Sequence, residues 1–183
     1  MILIVDMNWK KDSLGYYEFV IPIITIAEKL DDCTIKHYLD VDSEDLNQCR
    51  KIILSGNALE DKATLRQPEK FQWLKKTEKT VLGICAGMET IGTVFGAQLT
   101  RSLEIGMTEI VTTKENPFFA GNFRAYSLHS CCVKNANNFE VWAESKKCIQ
   151  AIKHKHKKIY GVLFHPEVRN AEILKQFTIS KEQ

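Results

Sequence analysis

Short apolar runs with no polar alternation constrain this chain more than any other feature. Ile2-Leu3-Ile4-Val5 and Val81-Leu82-Gly83-Ile84 are the clearest of them. A strand with one wet face alternates polar and apolar residues, so a run that does not alternate needs cover on both faces. That is the situation inside a mainly parallel sheet flanked by helices. Further strand-like runs are Thr34–Tyr38, Lys51–Leu54 and Ile159–Phe164. Segments of helical spacing lie between them. Tyr16–Leu30 is interrupted by Pro22, which either kinks it or marks its true first turn. Gln67–Lys76 carries Pro68 in its first turn and sets Phe71 and Leu74 on one face. Two more helices are predicted, from Ala86 to about Phe95 and from Ala171 to Phe177. The middle, Leu99–Val141, reads as short antiparallel strands with turns. The pattern predicts an α/β fold for residues 1–183 as a single domain: a mainly parallel sheet with a small antiparallel β element.

Composition narrows the function classes by exclusion. A net charge of +2 among 183 residues gives no basis for a nucleic-acid or membrane partner. The start, Met1-Ile2-Leu3-Ile4-Val5-Asp6, lacks a basic leader and reads as a strand, so a cytoplasmic setting is expected. Six cysteines are scattered, apart from adjacent Cys131 and Cys132, with no CxxC pair. In a reducing compartment most of them are small buried hydrophobes. Cys85 is different.

Cys85 stands in Gly83-Ile84-Cys85-Ala86-Gly87, between an apolar run and a helical one. A strand–Gly-x-Cys-x-Gly–helix is the thiol form of the nucleophile elbow, a turn so sharp that its flanking residues must be small. The helix aims its first amides and positive dipole end at the sulfur, which favours the nucleophilic anion. The amide of Ala86 is placed to hold an oxyanion, and Gly56 or Asn57, after a neighbouring strand, can supply a second donor. Far along the chain, another apolar run ends in His165-Pro166-Glu167. His165 has the chemistry of a general base and acid toward Cys85, and Glu167 that of the group orienting it. In a parallel sheet all three fall at carboxyl ends of strands, where sites form.

The remaining candidates have bland readings beside functional ones. His129 and Ser127, in Tyr126-Ser127-Leu128-His129, reach either a substrate or a structural hydrogen bond. Lys153-His154-Lys155-His156-Lys157-Lys158 reads as a solvated hairpin tip rather than a docking patch. Its histidines lack thiol or acidic companions, so no metal or cofactor is expected. Trp9, Trp73 and Trp142 read as core residues.

The elbow and the segment Gly161-Val162-Leu163-Phe164-His165-Pro166-Glu167-Val168 resemble the two signatures of the class I glutamine amidotransferases. The resemblance runs over nearly the whole chain. From Phe139 to Gly161 it is strongest to the separate glutaminase subunits of archaeal GMP synthases. It implies a flavodoxin-like sheet and attack by Cys85 on the side-chain amide of L-glutamine. Ammonia would then pass to a separate ATP-dependent synthetase. Several positions depart from the family pattern. Gly56-Asn57-Ala58 replaces Gly-Gly-Pro, so Asn57 would have to take the second glycine's conformation. Glu89 replaces a glutamine and puts an acid near the substrate. His129-Ser130-Cys131 replaces His-Gly-Asp, and Asp6-Met7-Asn8 stands where the family has Asp-Asn-Gly-Gly-Gln. Two rivals follow from these departures: a γ-glutamyl hydrolase of the same fold, and a non-catalytic regulatory subunit.

Overall fold

The computed structural model describes residues 1–180. One nine-stranded sheet organises them, in the order β2-β1-β3-β4-β9-β8-β7-β5-β6. Five strands are parallel: β1 (Ile2–Asp6), β2 (Cys33–His37), β3 (Lys51–Leu54), β4 (Thr80–Ile84) and β9 (Ile159–Val162). Successive residues of β1 feed opposite faces. Ile2 and Ile4 join one apolar cluster with Ile23, Leu174 and Phe177. Leu3 and Val5 join the other, with Leu54, Leu74, Met88 and Ile91. This double burial is the reason for the unbroken apolar runs.

Helices α1 (Ile21–Ala27), α4 (Pro166–Arg169) and α5 (Ala171–Ile179) cover the first face. Pro22 sits in the first turn of α1, after a π-helical turn at Tyr16–Val20, so it starts the α-helix rather than kinking it. The second face takes α3 (Ala86–Val94) and Pro68–Lys75, which winds as a 3₁₀-helix and still buries Phe71 and Leu74. Helix α2 (Ser43–Gln48) is too short to show a period. It is set by a capping box in which Asp42 accepts from the Glu44 and Asp45 amides and Asp45 reaches back. Lys51 is charged yet buried in β3. Its Nζ donates to the Phe177 and Thr178 carbonyls at 2.6 and 2.8 Å, capping α5 with a cation at its negative end.

The antiparallel part is larger than the sequence suggests. β5 (Gln98–Thr112) and β6 (Asn122–Lys134) form one long hairpin, with a register shift between Arg101 and Glu104. β7 (Phe139–Glu144) and β8 (Ile149–His154) link it to β9. Trp142 is buried and Trp73 packs partly buried against the core, as expected. Trp9 departs from expectation at 64% exposed: its ring lines an open surface cavity, and its backbone amide donates to Asp61 Oδ2 at 2.7 Å. Residues 155–158 form a hairpin tip, with His154 tucked between Phe95 and Phe139. No helix among the described residues is long and apolar enough to cross a membrane.

Candidate active site

Pairing of β4 with β9 brings Cys85 and His165 together across 80 residues of sequence. Ile84 lies opposite Val162, and the Cys85 amide donates to the Val162 carbonyl at 2.8 Å. Cys85 holds φ 48° and ψ −104°, a left-handed backbone that a side chain rarely tolerates. Both glycines of the elbow are explained by close backbone approach. A Cβ on Gly83 would meet the Gly87 carbonyl carbon at 2.5 Å, and one on Gly87 would meet the Leu54 oxygen at 2.6 Å. Helix α3 begins at Ala86, so its first amides have no helical acceptor and face the elbow.

His165 follows β9, and its amide is tied to the Tyr126 carbonyl of β6 at 2.8 Å. Its Nδ1 meets Glu167 Oε1 at 2.7 Å, with both side chains out of contact with solvent. Burial opposes a charge on His165. The Glu167 carboxylate and the Cys85 sulfur beside it outweigh that and hold the imidazole well above its usual range. With Nδ1 committed to Glu167, Nε2 is the nitrogen left for the thiol. It has no hydrogen-bond partner here, and the Cys85 thiol instead lies 3.5 Å from the Leu128 carbonyl. Such contacts commonly tighten only when substrate arrives.

The loop after β3 completes the cluster. A Cβ on Gly56 would meet His165 Cε1 at 2.6 Å and Cys85 Cβ at 3.6 Å, so Gly56 lies against both. Asn57 does not take the left-handed conformation expected of it. The described non-glycine residues with positive φ are Asp12, Cys85 and Asn135. Its side chain is used instead as an anchor, donating to the Met7 carbonyl at 3.2 Å. Ser55 holds the same loop from the other side, accepting from the Met7 amide at 3.1 Å.

Glu89 lies one turn along α3 and is buried, with Lys62 Nζ 3.8 Å from Oε2 and with Oε1 unpartnered. Burial raises its carboxyl to about 7, more than Lys62 lowers it. Ser127 is fully buried on β6, and its hydroxyl has no partner. His129 turns to Glu104, at 3.1 Å, instead of to Cys85. Burial lowers its proton affinity against the pull of that carboxylate. Sequence reasoning missed three contributors: the Phe19 ring packed 5.3 Å from His165, the Leu128 carbonyl and Lys62. Only Phe19 left a signal, as an apolar residue in a helical run.

Chemically, this is a buried thiol on a strained turn, beside an imidazole fixed by a carboxylate and a helix N-terminus. It can attack a carbonyl carbon and return a proton to a leaving nitrogen. Residues 19–180 match the model of the glutamine amidotransferase class-I family. A glutamine-hydrolysing GMP synthase subunit of Methanococcus aeolicus is 37% identical over 145 residues, 73% of this chain and 75% of that one. The subunit of the same name from Methanococcus maripaludis is 36% identical over 176 residues, 90% of this chain and 86% of that one. Among solved structures, a Thermoplasma acidophilum protein assigned to the GMP synthase subunits superposes with a TM-score of 0.82 at 23% identity. The match covers 97% of this chain and 92% of that one, and it supports the fold. With most of the chain matched in sequence and in fold, this protein belongs to the class-I glutamine amidotransferases.

Proposed function

We propose that the chain hydrolyses L-glutamine to glutamate and ammonia through Cys85, His165 and Glu167. The observation that carries this reading is the strained Cys85 backbone set against a His165–Glu167 pair 2.7 Å apart. The Cys85 sulfur forms a bond to the amide carbon as the carbonyl oxygen gains charge under the Ala86 amide and the Gly56–Asn57 loop. His165 carries the thiol proton to the leaving nitrogen. The C–N bond breaks, ammonia departs and a thioester remains. Water, losing a proton to His165, then releases glutamate and restores the thiol. Glu167 keeps Nε2 aimed and stabilises the imidazolium.

The ammonia goes to a separate ATP-dependent synthetase, and the names of the relatives support a GMP synthase as that partner. The γ-glutamyl hydrolase alternative loses its main argument. Glu89 is answered inside the chain by Lys62 and is half protonated near pH 7, so it is poorly suited to attract a substrate amine. The test is ammonia release from glutamine, with and without an XMP-activating synthetase. We expect turnover in the wild type and none above background in Cys85→Ala. Turnover that persists in Cys85→Ala would falsify the assignment.

A further inference from the structure

A second group of reactive side chains, unused by amide hydrolysis, gathers between the β5–β6 hairpin and the turn before β8. Glu104 enters from the register shift in β5, His129 and Cys132 from β6, and Cys148 from the turn. All four are buried. Donor atoms of Glu104, His129 and Cys148 lie within 4.8 Å of one another. The Cys148 thiol donates to the Ser102 hydroxyl at 3.1 Å, and Cys132 lines the same surface cavity as Cys148.

A plain hydrogen-bonded core accounts for only part of this. Glu104 is oriented by Ser145, whose hydroxyl donates at 2.9 Å, and by Gln150, whose amide donates at 2.7 Å. That pair needs neither thiol. Two thiols, an imidazole and a carboxylate from three chain segments are the donor set of a four-coordinate, borderline-soft cation. Ligands of a tetrahedral ion stand about 3.5 Å apart, so closing Glu104, His129 and Cys148 around one needs movements of about 1 Å, and Cys132, outside that group, must turn further to complete it.

We propose that Glu104, His129, Cys132 and Cys148 form a tetrahedral site for a divalent cation of the zinc class. On binding, each thiol gives its proton to solvent, and the cation replaces the Glu104–His129 hydrogen bond. Ser145 and Gln150 supply the outer hydrogen bonds that hold a ligating carboxylate in place. A surface cavity of about 310 Å³ lined by Cys132 and Cys148 provides the way in. The site ties the hairpin to the β7–β8 turn, one residue from the Leu128 carbonyl that the Cys85 thiol contacts. It stands independently of the glutaminase reading.

Cobalt(II) titration tests it, with chelator-treated, phosphine-reduced protein in a Cys85→Ala background so that the nucleophile cannot contribute. We expect one equivalent to bind with a thiolate-to-cobalt charge-transfer band and tetrahedral visible bands, both bleached by Zn²⁺. Cys132→Ser and Cys148→Ser should each weaken binding about tenfold or more, since even outer-sphere changes cost 10–100-fold. Cys33→Ser should change nothing. Should a serine variant fail to fold, alkylation of the otherwise unmodified protein decides instead: Zn²⁺ must shield Cys132 and Cys148 but not Cys33. A thiolate band surviving in the Cys132→Ser/Cys148→Ser double variant overturns the proposal. So does an absence of cobalt binding, an octahedral spectrum without that band, or a Cys132–Cys148 disulfide forming under excess Zn²⁺.

Discussion

The two halves of the sheet are built on different rules. In the parallel half, β1, β3 and β4 are buried at every position. β1 and β3 end in polar turns and β4 in the Cys85 elbow, and the turns after β3, β4 and β9 converge on Cys85. In the antiparallel half, β5 alternates and leaves Leu103, Ile105 and Met107 outward. Its polar cluster lies between strands instead of at their ends. Burial on both faces leaves side chains no freedom, so chemistry is displaced to the loops. One-sided burial lets a strand keep polar residues along its length. The parallel half therefore concentrates function at strand ends, and the antiparallel half supports it from the side through the Tyr126 and Leu128 carbonyls.

The sharpest way to break that contrast is at the site itself. Glu167→Gln keeps the size but replaces the acceptor facing His165 Nδ1 with a group that can also donate, which admits the wrong tautomer. We expect kcat to fall about 10³–10⁴-fold, the scale seen when the orienting acid of a triad is neutralised, with little change in thermal stability. A loss below tenfold in steady-state ammonia release would mean that Glu167 is structural. The strand ends of the parallel half would then hold a two-residue site.

A smaller effect is expected one turn along α3. Glu89 has a folded-state pKa of about 7 against an ordinary 4.5, because burial outweighs Lys62. The folded chain therefore binds this proton more tightly than the unfolded one. The stability it confers is complete below about pH 4.5 and is lost as pH rises through about 7, at an eventual cost of roughly 3 kcal/mol. Glu89→Gln should leave stability at pH 5 nearly unchanged and raise it at pH 8 by up to that amount. Urea unfolding at the two pH values measures the difference, and a pH-independent result would show that Lys62 fully neutralises the charge.

Legibility in the sequence follows the same division. The parallel strands and the elbow are readable because double burial and the Gly83/Gly87 backbone contacts each demand one kind of residue. Cys85, His165, Glu167 and Gly56 follow from that grammar, and the structure gathers them. Asn57 departs from its expectation, since its side chain anchors to Met7 and its backbone stays out of the left-handed region. The hairpin reads as several short strands because β5 carries Gly106, at φ 97°, and a register shift between Arg101 and Glu104 inside one continuous strand. The Glu104–His129 and Glu89–Lys62 contacts depend on pairings across 25 and 27 residues, which no local pattern encodes.

The smallest expected effect tests the outer face of the hairpin. Ile105 is 60% exposed and pairs across to Leu128. Threonine keeps the branched shape that suits a strand and removes little buried apolar area. Ile105→Thr should therefore change unfolding free energy by no more than about 0.5 kcal/mol, the range of ordinary surface substitutions. The same change at fully buried Ile4 would remove a core side chain and add a hydroxyl with no partner. A loss above about 1 kcal/mol at Ile105 in the isolated chain would mean that this face is packed in solution, through self-association that a concentration series would reveal. In that event the antiparallel half is covered on both sides as well, and the contrast between the halves rests on strand direction alone.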